Sequence, residues 1–168
     1  MTAGHLLVDA VLPGGDGVCE ERQSLPLEAL LAEAALDIAS PDAAAVFDGA
    51  PDDPAERALR VSDAFDDMSY ANEASLRLML ASALERSVTG ADGAPIRQNR
   101  RTPMIEEALK PYRKNFRPAD FDKLVKALAH FIGTESMIVF KDVLQTDEKD
   151  ARAVKRWAIR ALVEAARR

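Results

Sequence analysis

The chain has 168 residues, 48% of them apolar and 30% charged, with a net charge of −6 at neutral pH. That composition supplies one buried core, so a single domain is expected. The lone Cys19 excludes an internal disulfide and a cysteine metal cluster, and no apolar run approaches the roughly 18 residues a membrane span needs; a soluble, cytoplasmic protein is the expectation.

The charge is unevenly spread, with one basic against nine acidic side chains in residues 1–50, six against nine in 51–100 and fifteen against ten in 101–168. The acidic amino-terminal part repels nucleic acid. The basic side chains of the last third are spaced round helices rather than clustered for phosphate, so no DNA contact is expected from them.

In chain order, residues 1–23 form a leader with no amphipathic face long enough to dock: Leu6 to Leu12 is broken by Asp9, and Pro13-Gly14-Gly15-Asp16-Gly17 reads as a flexible connection. Residues 24–168 read as one all-α domain. A helix runs from Pro26 to about Ala39, with Leu27, Leu30, Leu31, Ala34, Ala35 and Ile38 inward, and Ser40-Pro41 ends it before an Asp- and Pro-rich connection to Pro54. Helical periodicity then spans Pro54 to Val88 with a break near Tyr70 to Asn72. Val61, Ala64, Phe65, Met68, Ala71 and Asn72 share the first arc, and Leu76, Leu80, Ala83 and Leu84 the second, with Met79 beside it.

Thr89 to Arg101 reads as a loop. A helix from Thr102-Pro103 to about Phe116 follows, with Met104, Ile105, Ala108, Leu109, Tyr112 and Phe116 inward and a kink expected at Pro111, which lacks a backbone donor. Pro118 opens a helix expected to continue for about 28 residues, or roughly 40 Å at 1.5 Å per residue. Its stripes are Phe121, Val125, Leu128, Ile132, Val139 and Val143, and beside them Leu124, Phe131 and Ile138. After Gln145-Thr146-Asp147, a last helix, capped by Thr146 or Asp147, carries acids at its start and arginines at its end, as the helix dipole favours. Ala151, Val154, Ala158, Ala161, Leu162 and Ala165 fall on one arc flanked by Trp157. A seam of such small residues suits close approach of a neighbouring helix, while the wide apolar arc of the preceding helix calls for one neighbour within the chain and another from elsewhere, such as a second copy.

Catalytic constellations are absent from this reading: there are only two histidines, His5 and His130, and no two-histidine helix motif, phosphate loop or nucleophile elbow. No metal site or cofactor is expected. Asp52-Asp53 and Asp66-Asp67 read as solvated or helix-start charges without calcium-loop spacing. Glu135 projects among Leu128, Phe131, Ile138 and Val139, which calls for an arginine from a neighbouring helix or a polar ligand group. Phe65, Met68, Met79, Met104, Tyr112 and Phe131 converge from four helices as ordinary core or as an adaptable apolar pocket, with Asn72 and Glu135 as polar contacts.

Glu28-Ala29-Leu30-Leu31-Ala32-Glu33-Ala34-Ala35 resembles the linking helix of TetR-family bacterial transcriptional regulators. Asn72 to Leu80, and Ile132-Gly133-Thr134-Glu135 through Arg152-Ala153-Val154-Lys155-Arg156-Trp157-Ala158, resemble the regulatory domain of that family. The resemblance implies an all-helical domain whose last two long helices build a dimeric four-helix bundle, here through Ala151, Val154, Trp157, Ala158, Ala161, Leu162 and Ala165. It also implies a small apolar or amphipathic effector bound among the preceding helices, at Phe65, Met68, Asn72, Met79, Met104, Tyr112, Phe131 and Glu135. The family's helix-turn-helix headpiece has no counterpart in residues 1–27. The expectation is therefore an effector-binding and dimerisation domain reaching DNA only through a headpiece not present in this chain, or a module that modulates a full-length regulator by mixed dimerisation.

Overall fold

The computed structural model describes residues 38–89 and 99–167. The expected leader, most of the helix ending near Ala39 and most of the loop before Arg101 lie outside the described residues. Those described are mostly helical and include no strand, as the all-α reading requires. No helix among them is long and apolar enough to cross a membrane.

The connection before Pro54 contains a short helix, α1 (Ala43–Phe47), where only polar linker was expected. Asp42 starts it by accepting a hydrogen bond from Ala45 N at 3.1 Å. The Arg60 guanidinium donates to the carbonyls of Val46, Asp48 and Gly49, so the end of α1 is satisfied from the next helix.

α2 (Pro54–Ala71) begins with proline in its first turn and Asp53 as cap, the carboxylate accepting from Glu56 N at 2.9 Å. It ends where Asn72 Nδ2 donates to Met68 O at 2.8 Å, and α3 (Glu73–Thr89) follows at once. The break near Tyr70 to Asn72 is thus real, made by one side chain competing for a helix carbonyl.

α4 (Arg101–Leu109) does not kink at Pro111. The chain tightens instead into a 3₁₀ turn over Lys110–Asn115, with Pro111 in its first turn, where a missing donor costs least. α5 (Pro118–Phe131) is half the expected length. It stops at Ile132, and Gly133 has φ +115°, a conformation L side chains rarely adopt. α6 (Thr134–Ile138) restarts and runs into a single π turn at Val139–Val143. In consequence Val139 and Val143, expected on the inward stripe, are 47% and 72% exposed.

α7 (Glu148–Ala166) is capped by Asp147, which accepts from Asp150 N at 2.8 Å. α2 is the hub, packed against α4, α6 and α7, while α5 packs on α4 and α7. Their shared core holds Leu59, Val61 and Phe65, Ile105 and Leu109, Leu124, Leu128 and Ile132, and Ile159 and Val163.

Candidate functional site

Burying a charge costs several kcal/mol unless it is paired, so paired charges show where this fold concentrates its electrostatic specificity. The largest set lies between α2 and α7. Asp53 pairs with Arg167 at 3.0 Å, Glu56 with Arg160 at 2.9 Å, Asp63 with Arg156 at 2.5 Å and Asp67 with Arg152 at 2.7 Å. The residue numbers climb on one helix as they fall on the other, so the helices are antiparallel and the pairs form a ladder. The acidic middle and basic end of the sequence compensate each other inside the molecule.

Behind this ladder Asp66 pairs with Lys155, the two side chains being 1% and 2% exposed. Asp66 Oδ2 and, one helical turn on, Ser69 Oγ are buried with no hydrogen-bond partner among the described residues. Burial pushes the Asp66 carboxyl above its ordinary range and the Lys155 ammonium below its own, each against the attraction of the other. The reading of Asp66-Asp67 as solvated charges is therefore corrected for Asp66. It is buried like Ser62 and Ser69 of the same helix and meets α7 through Lys155, whereas Asp67 is 72% exposed.

A second charged junction explains Glu135. Arg101, at the start of α4, donates through Nη1 to Ala129 O and Ile132 O, the carbonyls ending α5, and through Nη2 to Glu135 Oε2 at 2.8 Å. One guanidinium thus caps the negative end of α5 and holds the acid in the first turn of α6. Gly133 leaves room for it, since a Cβ there would lie 3.0 Å from Arg101 Nη1. The arginine partner that Glu135 called for comes from a neighbouring helix, with the pair half-buried.

The eight candidate ligand contacts are spread over several places. Phe65 and Met104 are buried in the main apolar cluster, and Met68 and Tyr112 pack against it. Asn72 is spent on capping α2, and Met79 is half-buried on α3. Phe131, edge-on to the exposed His130, and Glu135 flank the α5–α6 break. Tyr112 also lines a surface depression of about 450 Å³ with Asp52, Asp53, Lys114, Asn115 and Arg167. Its hydroxyl donates to Asp52 Oδ1 at 2.5 Å; burial, followed by that bond, raises its pKa above the ordinary phenol value. Among the described residues no three metal-ligating side chains converge.

The expected single seam on α7 divides into two faces. Ala151 and Ala158 are buried within the chain, and Leu162 packs against its core; these three are thereby corrected from an outer seam to the inner face, beside Lys155, Ile159 and Val163. Val154, Trp157, Ala161 and Ala165 stay outside, Trp157 being 72% and Val154 45% exposed. The observed arc lies about one residue step from the expected one, because Lys155 takes a buried position.

No protein-family model, curated protein or solved structure matches the chain.

Proposed function

We propose that this chain is the association and effector-binding part of a TetR-type transcriptional regulator, working as a homodimer through the outer face of α7. The observation that carries this reading is the stripe Val154, Trp157, Ala161 and Ala165. Single apolar side chains on a surface are ordinary, but a bare indole over a run of small residues, at helical spacing, is a surface suited to another helix. Trp157 is the chain's only tryptophan, and the alanines at 161 and 165 leave the backbone approachable beside it. A four-helix bundle would draw its other helix from the segment before α7, where Val139, Val143 and Leu144 are also exposed.

Effector binding is assigned to the cluster of Phe65, Met68, Met104 and Tyr112. Methionine repacks at low cost and Tyr112 carries a polar handle, which suits an amphipathic small molecule reached from the Tyr112 side. The second reading, a module forming mixed dimers with an intact regulator, uses the same α7 face.

Sedimentation and gel-shift measurements on this chain test the proposal together. A dimer with no specific operator retention is expected. A monomer at micromolar concentration contradicts it, and capture of a co-expressed intact regulator by the chain selects the second reading.

A further inference from the structure

The two middle rungs of the ladder between α2 and α7 do not by themselves choose a register, although a one-turn move sets Glu164 against Glu56 in place of Arg160. Arg152, Arg156 and Arg160 recur every four residues on α7, and Asp63 and Asp67 are four apart on α2. Moving α7 by one turn re-pairs Arg156 with Asp67 and Arg160 with Asp63. The inner apolar face repeats at the same interval: Ala151, Ile159 and Val163 lie on one four-residue row, and Ala158 and Leu162 on the next. Within the helix a slip exchanges one small or aliphatic side chain for another; at its end the place of Val163 falls to Arg167. The single exception on the first row is Lys155, and its one buried acidic counterpart on α2 is Asp66.

We propose that the Asp66–Lys155 pair is a register pin, fixing which turn of α7 lies against α2 and hence the position at which the opposite face presents Trp157. Its burial with an unsatisfied Asp66 Oδ2 makes it a poor source of stability, since apolar residues of similar volume in place of such pairs are commonly neutral or stabilising. What it supplies is a penalty on every alternative: after a one-turn slip both charges are buried without a partner. Such one-turn displacements of packed helices are an established form of conformational change, and here the interior pair forbids one. The consequence for association rests on the proposed use of the outer α7 face; the pin itself does not.

The test is a distance measurement in a Cys19→Ser background, with spin labels at Ala44 and Lys149, exposed positions on α1 and in the first turn of α7. Diluted with unlabelled chain so that only distances within one chain are read, the parent should give one narrow distance. The double variant Asp66→Leu/Lys155→Met should melt at or above the parent temperature yet show an added population displaced by up to about 5.4 Å, one helical pitch. The reversed pair Asp66→Lys/Lys155→Asp should restore the single distance. A double apolar variant that folds with the parent's one narrow distance overturns the proposal, and so does one that no longer folds, because the pair would then be needed for stability. Sedimentation of the same samples reads association separately, so a monomeric parent with a pinned register refutes only the dimer.

Discussion

The two faces of α7 are made from the same short list of residues and meet opposite fates. On the inner face alanines at 151 and 158 let α2 and α5 come close, aliphatics at 159 and 163 fill the core, and a lysine is buried to meet one aspartate. On the outer face alanines at 161 and 165 and an indole at 157 have no partner within the described chain. Small residues alone therefore do not distinguish an intrachain seam from an exposed face. What distinguishes them is the acid on the facing helix: charges on α2 claim one side of α7 and leave the other open.

Breaking the inner face should cost most. Lys155→Met leaves Asp66 buried without its counter-charge and is expected to lower stability by about 3 to 5 kcal/mol, read from urea unfolding. Gly133→Ala comes next, at about 1 to 3 kcal/mol, because a Cβ at positive φ is strained and this one meets the Arg101 guanidinium that ties α5 to α6. The outermost rung gives a smaller, pH-dependent effect. Burial works against ionised Asp53, but hydrogen bonds from the Glu56 and Ala55 amides and from Arg167 outweigh it and hold its pKa below the ordinary value. Its contribution is present above about pH 4 and lost as pH falls through the lowered pKa. In Asp53→Asn the fall in melting temperature below pH 4 should be shallower than in the parent. The smallest effect on folding is expected on the outer face, where Trp157→Arg should alter monomer stability by no more than about 0.5 kcal/mol.

The parts of this fold legible in the sequence were those set by local chemistry. Pro54, Pro118, Asp53 and Asp147 mark helix starts through caps and first-turn prolines, whereas Asn72, expected as a ligand contact, ends α2. The inward positions of the helix opening at Arg101 follow from 3.6-residue periodicity and needed nothing further. The break at Gly133 was harder: glycine inside a long apolar pattern is tolerated unless something fills the space it leaves, and the filler, Arg101, lies 32 residues earlier. Asp66 and Lys155 escaped for a related reason. Each looks like a solvated charge on its own helix, and only the opposite charge balance of the middle and last thirds of the chain hinted that the two helices were made for each other. For the ligand contacts, side-chain type identified core members such as Phe65 and Met104, but whether a residue packs, caps or lines a depression depends on neighbours far along the chain.

The claim that α7 has one face for the fold and one for a second copy is tested most directly by sedimentation equilibrium of the parent and Trp157→Arg side by side, with helix content followed by circular dichroism. A dimer mass is expected for the parent and a monomer mass for the variant at unchanged helicity. A parent that is monomeric at micromolar concentration, or a Trp157→Arg protein that remains dimeric, contradicts it.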